Sequence, residues 1–103
     1  MSSNTVAGTE SLINSIKSKI MTGDQDFSSW YVGIANNVKR KLFEDHNVNE
    51  QNGIWIYVTA PDNAAARTTK SYFVQNRVAA NDLDDEVGGL IVYAYKKTPS
   101  TRP

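Results

Sequence analysis

Apolar residues recur along the chain with two different periods, and these periods predict three helices and three strands. The first helix is predicted over residues 9–23, with Thr9 as its N-cap and Gly23 at its end. The apolar stripe of this helix, at helical spacing, consists of Leu12, Ile13, Ile16 and Ile20. Aromatic and β-branched residues favour strands, and they are concentrated in the segments SWYVGIA, GIWIYVTA and GLIVYAYKK.

Two further helices are predicted between these strands. The second begins at Asn36 or Asn37, either of which can act as its cap, and ends at Asp45. The basic run 39–41 is expected to point mostly outward from it. Its inward residues are expected to be Val38, Leu42 and Phe43. The third helix is predicted over residues 64–77, and its packing candidates are Ala66, Tyr72 or Phe73, and Val74.

The resulting order, α-β-α-β-α-β, predicts a small single α/β domain over residues 9–97. We expect a three-stranded mixed sheet with helices packed on it, which is close to the minimum that can fold alone. The second strand, GIWIYVTA, is expected to be well buried. Residues 1–8 and 98–103 are mostly small and polar, and they are predicted to form flexible tails.

Composition limits the classes of function that the chain can have. Of its 103 residues 40% are apolar and 21% are charged, which is typical of a globular domain rather than a disordered chain. Its 11 Lys and Arg balance its 11 Asp and Glu, so it lacks the basic surplus of a dedicated nucleic-acid binder. It has no cysteine and no apolar run of membrane-spanning length. The segment MSSNTVAGTE lacks a basic region followed by an apolar block, so we do not expect it to be a secretory signal. We therefore expect a cytoplasmic protein without a membrane partner.

The stretch WYVGIANNVKRKLFEDH joins a predicted strand to a basic helix. The strand contains Tyr31-Val32-Gly33, an Asn36-Asn37 turn opens the helix, the basic run 39–41 follows, and His46 closes it. A further strand and helix come next in the chain. Over roughly residues 29–76 this order resembles the GIY-YIG nuclease superfamily, whose second signature strand ends in Tyr-Ile-Gly. The resemblance implies a GIY-YIG-like fold.

The resemblance also implies a set of site residues. In that family a tyrosine or histidine handles the attacking water, an arginine steadies the phosphate, and a glutamate binds one divalent metal ion. Tyr31 and His46 are therefore candidate catalytic residues. Gly33, which ends the signature strand, and Asn36, which opens the polar turn after it, are candidate turn residues.

The glutamate of the family is replaced in this chain. Matching the segment ARTTKSYF to the family's helix puts Lys70 at that position, and an ammonium group cannot bind a divalent cation. The implied site therefore binds phosphate without cleaving it, and without a metal or other cofactor. The predicted phosphate-binding residues are Arg40, Lys41, Arg67 and Lys70. The implied ligand is nucleic acid or a nucleotide.

The last predicted strand, GLIVYAYKK, completes this interpretation. The family's first signature strand has no counterpart upstream of Tyr31, where the sequence predicts a helix. The last strand can occupy its place, so that Tyr93 or Tyr95 stands in for the family's tyrosine. These two tyrosines share one face of the strand and can stack a base, although they also fit a simple aromatic packing face.

Other interpretations of the same residues stay open. An active nuclease would need Mg²⁺ or Mn²⁺ held by another carboxylate, for which Glu44 and Asp62 are candidates. A protein-interaction module could self-associate through the third strand, if that strand is an unprotected sheet edge. His46 also fits a simple helix C-terminal cap. The acidic run 82–86 lacks the pattern of a calcium loop, so we expect a solvated loop there.

Overall fold

The fold is built from two α-helices, three strands and three short helical segments within residues 4–22 and 26–103, which are the residues that this computed structural model describes. For residues 4–8 it describes the backbone alone. The α-helices are α1 (Asn4–Thr22) and α2 (Asn63–Gln75). The strands are β1 (Trp30–Ala35), β2 (Trp55–Thr59) and β3 (Ile91–Lys96). A π-helix (Arg40–Asp45) lies between β1 and β2, and 3₁₀ turns span Phe27–Ser29 and Asp82–Asp84.

Helix α1 packs on the sheet through the predicted apolar stripe. Its members, of which the last two are completely buried, are Leu12, Ile13, Ile16 and Ile20. The helix begins at Asn4 rather than after a cap at Thr9, so it includes residues that we expected in the N-terminal tail. Gly23, the predicted end of the helix, lies outside the described residues. Neither α1 nor any other helix in the described ranges is long and apolar enough to cross a membrane.

Helix α2 begins after Asp62, whose carboxylate accepts a hydrogen bond from the N–H of Ala65 at 2.8 Å. Ala66 and Phe73 are completely buried, which confirms them as packing residues. The prediction for Val74 is wrong, because its side chain faces outward and is 45% exposed. The outward stripe that contains Val74 lines a pocket described below.

The three strands form one antiparallel sheet in the order β1-β3-β2. This confirms a small α/β domain, but the predicted mixed sheet is wrong, because β3 inserts between β1 and β2 and runs opposite to both. Strand β3 is therefore central and cannot provide the open edge on which the predicted self-association rests. The expected burial of β2 is also wrong, since β2 is an edge strand on which Tyr57 is 44% exposed.

The sheet is covered on both faces. Alternate residues of β1 and β3 point to opposite sides, so Val32 and Val92 join the core formed with α1 and α2. Tyr31, Tyr93 and Tyr95 point to the other side, where the π-helix covers them. Two separate clusters of buried side chains result, one on each face.

The outer edge of β1 is covered by the chain segment that precedes β3. The N–H of Val32 donates to the carbonyl of Ala79 at 2.9 Å. The N–H of Glu86 donates to the carbonyl of Ile34 at 3.0 Å. Most of the covering segment is the run DLDDE, residues 82–86, which we call the acidic strap.

Candidate functional site

Four of the predicted site residues meet in one buried group, which we call the tyrosine cluster. It consists of Tyr31, His46, Tyr93 and Tyr95. The rings of Tyr31 and Tyr95 stack with their centroids 5.3 Å apart, and the His46 ring lies between 4.8 and 5.6 Å from the three phenol rings. Each of the four residues is at most 2% exposed. Tyr93 and Tyr95 are therefore not placed to stack a base, contrary to our expectation.

The register of β1 against β3, and the glycine at position 33, allow these rings to pack together. In the β1–β3 pair Tyr31 lies opposite Tyr95, and Gly33 lies opposite Tyr93. A Cβ on Gly33 would overlap the phenol ring of Tyr93, so the glycine makes room for that ring. The predicted role of Gly33 as a turn residue is wrong, because it lies inside β1. Asn36 does lie in the bend that follows β1.

The π-helix places Lys41 and His46 on the same side. Asn37, one of the two predicted caps, precedes the α-helical residues 38–39 that lead into the π-helix, and its side chain accepts a hydrogen bond from the N–H of Arg40 at 3.2 Å. The N–H of His46 donates to the carbonyl of Lys41 at 2.9 Å, which closes a wide five-residue turn. Lys41 was expected to point outward, but this turn directs it inward, and only 12% of its side chain is exposed.

Both ring nitrogens of His46 face oxygen atoms that can only accept hydrogen bonds. Nδ1 lies 2.7 Å from the carbonyl oxygen of Arg102, and Nε2 lies 2.8 Å from a carboxylate oxygen of Asp84. Each ring nitrogen therefore has a hydrogen-bond acceptor within 2.8 Å. The hydroxyls of Tyr93 and Tyr95 lie 2.8 Å from Nε2 and 3.1 Å from Nδ1.

The C-terminal segment 98–103 closes over His46. The N–H of Arg102 donates to the carbonyl of His46 at 2.7 Å, and the side-chain amide of Asn47 donates to the carbonyl of Ser100 at 3.0 Å. We predicted a flexible tail for this segment. These two hydrogen bonds instead hold the segment over His46, whose side chain is 3% exposed.

Asp84 of the acidic strap binds the tyrosine cluster from one side. Its Oδ1 accepts from the ammonium of Lys41 at 2.7 Å, and its Oδ2 accepts from the hydroxyl of Tyr31 at 3.0 Å. Burial disfavours the charge of Asp84, but the bond from Lys41 and the charge of His46 outweigh burial and lower its pKa. Burial, and then the charge of Asp84, raise the pKa of all three tyrosines in the cluster. These phenols stay protonated and act as donors rather than as nucleophiles.

The other carboxylates of the strap also have specific partners. The ammonium of Lys70 donates to Asp82 at 2.9 Å and to Asp85. Burial alone would lower the pKa of Lys70, which is 5% exposed, but the bonds to Asp82 and Asp85 raise it. Glu86 accepts from the N–H of Asn36 at 2.6 Å, which lowers its pKa. The predicted solvated loop is correct for Asp82, whose side chain is 96% exposed. It is wrong for Asp84, Asp85 and Glu86, which are partly buried and bound by Lys41, by Lys70 and by N–H groups of β1 and of the bend after it.

The four predicted phosphate-binding residues do not form one cleft. Arg40 and Lys41 lie on the π-helix, on the same face of the sheet as the tyrosine cluster. Arg67 and Lys70 lie on α2, which packs on the opposite face. The acidic strap passes around the edge of β1 and its carboxylates bind both lysines. The structure thus separates the predicted site into two halves.

A pocket of about 470 Å³ opens beside Lys70. One wall is a single stripe along α2, because its residues recur at helical spacing. This wall consists of Arg67, Lys70, Ser71, Val74 and Gln75. The other wall comes from Asp82 and Asp85 of the acidic strap. The pocket therefore combines two basic side chains with two carboxylates.

The residues present do not fit the divalent metal ion that the active-nuclease alternative requires. Asp82 and Asp85 converge on the ammonium of Lys70, which already supplies a positive charge at that point. Across the described part of the chain there is no group of three or more His, Cys, Asp or Glu that could hold a metal ion. Of the alternative carboxylates, Asp62 caps α2 and Glu44 is exposed on the π-helix.

Sequence reasoning missed Asp84, although it is the residue that connects Lys41, Tyr31 and His46. The one signal in the sequence that could have pointed to Asp84 is the equal number of acidic and basic residues. A run of four acidic residues in an otherwise mixed chain can neutralise separate basic residues at 39–41 and 67–70. Which acid meets which base depends on the fold, and the linear pattern does not contain that information.

Comparisons with protein-family models, with curated proteins and with solved structures found no match. The relationship to the GIY-YIG superfamily therefore stays a prediction from the sequence.

Proposed function

We propose that this chain is a GIY-YIG-like domain that binds a phosphate-bearing ligand, nucleic acid or a nucleotide, without cleaving it. One observation carries the proposal. The ammonium of Lys70 binds two anionic oxygens, from Asp82 and Asp85, at the wall of the pocket between α2 and the acidic strap. A phosphate group offers the same kind of oxygen to the same donor. Arg67, one helical turn before Lys70, adds a planar donor that suits phosphate.

The rest of the pocket suits a ligand of nucleotide size. Its volume of about 470 Å³ lies within the usual range for small-molecule sites. Ser71 and Gln75 offer hydrogen-bonding groups along the same stripe of α2. Val74, which is 45% exposed, offers an apolar surface to a base or a sugar.

Binding requires the ligand to displace Asp82 from Lys70. The side chain of Asp82 is 96% exposed, so water screens this ion pair and little stability is lost when it opens. Asp85 is held more firmly, because its side chain is 20% exposed and also accepts from the N–H of Ile34 at 3.1 Å. We expect the phosphate to replace Asp82 at Lys70 while Asp85 stays in place.

Two features support binding without cleavage. Lys70 stands where the resemblance requires a metal-binding carboxylate. The tyrosine cluster is buried, so its hydroxyls and imidazole have no route to a phosphodiester. The pairing of β1 with β3 supports the GIY-YIG-like part of the proposal. It sets Tyr31 opposite Tyr95, as expected if β3 takes the place of the family's first signature strand. A cytoplasmic location goes with the proposal, since nucleotides are abundant there.

The proposal is tested by titrating the protein with ADP and with a 5′-phosphorylated oligonucleotide, while backbone amide signals are followed by NMR. We expect the signals of residues 67–75 to shift, and the affinity to fall as salt is added. Arg67→Ala should weaken binding. Arg40→Ala, the same charge change on the opposite face of the sheet, is the matched control and should leave the affinity unchanged.

The strap gives a second pair of variants for the same titration. Asp82→Asn should strengthen binding severalfold, because it removes the carboxylate that competes for Lys70. Glu44→Gln, an equal charge change at an exposed site, should not. Equal affinities for the two arginine variants, or no shift with either ligand, would overturn the proposal. Cleavage of the oligonucleotide with Mg²⁺ or Mn²⁺ that a chelator stops would support the nuclease alternative instead.

A further inference from the structure

The two outer edges of the sheet, on β1 and on β2, differ in whether their backbone groups are hydrogen-bonded. Along the outer edge of β1 four backbone groups that point away from β3 are bonded, through Ala79, Glu86 and the carboxylate of Asp85. Natural sheets cover or charge their edges in this way, because an unpaired edge is a template for another strand. The outer edge of β2 differs from that of β1 in this respect.

Strand β2 has unpaired backbone groups along that edge. The N–H of Lys96 donates to the carbonyl of Ile54, so the even-numbered residues of β2 direct their backbone groups toward β3. The odd-numbered residues direct their N–H and C=O groups away from the sheet. These residues are Trp55, Tyr57 and Thr59. None of their outward backbone groups is bonded to any part of the chain that the structure describes.

The side chains of β2 do not protect this edge either. The strand, WIYVT, contains no charged residue and no proline, which are the usual devices against edge pairing. The exposed large side chains here are Ile54, 41% exposed, and Tyr57, 44% exposed. The rings of Trp55 and Tyr57 lie nearly parallel, 3° apart in plane and 6.4 Å between centroids. The edge is aromatic and uncharged.

We infer that β2 pairs with β2 of a second copy of this chain, antiparallel about a two-fold axis at Tyr57. In this register Tyr57 lies opposite its own counterpart, and Trp55 lies opposite Thr59 of the other copy. All the outward backbone groups of the strand are then paired, by roughly six hydrogen bonds. The two sheets become one continuous six-stranded sheet.

A second copy fits this edge for two reasons. An isologous interface needs a surface that is complementary to itself, and an antiparallel edge centred on one residue meets that condition. The chain also has a formal net charge of zero, so two copies do not repel each other at long range. The contact is small, so we expect a weak, concentration-dependent dimer.

Cysteine cross-linking tests the register, since the chain has no cysteine of its own. At a two-fold axis the Cα atoms of the two copies of position 57 lie about 5.5 Å apart, within the range of a disulfide. We expect Tyr57→Cys to form a covalent dimer when it is oxidised with diamide. The matched control is Thr59→Cys on the same strand face. Its two copies lie about 14 Å apart along the strands, so it should stay monomeric.

Sedimentation velocity over a rising concentration series tests the pairing without a new thiol. Among the backbone hydrogen-bonding groups, Tyr57→Pro removes only an N–H that points away from β3, so the sheet is retained and the dimer should be lost. Tyr57→Phe keeps the N–H and should still dimerise. A wild-type chain that is monomeric up to millimolar concentration overturns the inference and leaves the edge to a different chain. Dimerisation of Tyr57→Pro equal to wild type, or equal cross-linking of the two cysteine variants, also overturns it.

Discussion

Asp84→Asn tests whether the acidic strap stabilises the tyrosine cluster by its charge. The substitution keeps the size and shape of the side chain. It removes the negative charge that faces the ammonium of Lys41 at 2.7 Å and Nε2 of His46 at 2.8 Å. His46 is 2% exposed and cannot turn to water. We therefore expect the free energy of unfolding to decrease, so that the fold becomes less stable.

The magnitude follows from burial. Removing one partner of a fully buried ion pair costs roughly 3–5 kcal/mol. The side chains of Asp84 and Lys41 are 24% and 12% exposed, so water screens part of the interaction. We expect a loss of about 2–3 kcal/mol, which lowers the Tm by about 10–20 °C in a domain of this size. Asp45→Asn is the control, because Asp45 is 43% exposed and 3.7 Å from Lys41, and it should change stability by less than about 0.5 kcal/mol.

The loss should also depend on pH. The pKa of Asp84 is lower in the folded chain than in the unfolded chain. Its charge therefore stabilises the fold fully above the unfolded pKa of about 3.9, and this contribution disappears as the pH falls through the folded pKa. Urea unfolding, followed by the fluorescence of buried Trp30, should show a large difference from wild type at neutral pH. That difference should shrink in acid, and a difference independent of pH would refute the argument.

Two other substitutions test the packing of the sheet and the convergence of the strap. Gly33→Ala should cost about 2–3 kcal/mol in urea unfolding, because the new methyl overlaps the buried ring of Tyr93. Gly88→Ala, at φ 71° in open space, should cost only about 1 kcal/mol, and equal costs would contradict this account. Lys70→Glu should lower the Tm in chelator and respond to added Ca²⁺ with a rise, because three carboxylates would then converge. Arg67→Glu, the control, should show no rise in Tm with Ca²⁺. If the Tm of Lys70→Glu does not rise with Ca²⁺ either, Asp82 and Asp85 do not converge at position 70.

The local elements of the fold could be predicted because local patterns encode them. The spacing of Ile16 and Ile20 fixes which face of α1 is buried, and the β-branched and aromatic runs locate all three strands. The start of α1 was missed because residues 4–8 lack the apolar spacing on which the prediction relied. The inward turn of Lys41 was missed because nothing in a basic run distinguishes a π-turn from an α-turn.

Strand order and the paired charges could not be predicted, because both depend on contacts between distant residues. Alternation within GLIVYAYKK shows that Tyr93 and Tyr95 share a face, but it does not show that β3 lies between β1 and β2. The partners Lys41 and Asp84 are 43 residues apart. Composition shows only that acidic and basic residues are equal in number. Which of them are in contact depends on the fold.

The position of β3 has a consequence for synthesis of the protein. It is the last of the three strands to leave the ribosome and the only one that touches both others. A nascent chain that ends before residue 91 holds two strands with no partner, and their aromatic residues stay exposed to chaperones or to other nascent chains. The same order makes the protein a candidate for split-protein complementation. A peptide that carries β3, supplied separately, would complete a sheet that neither fragment can form alone.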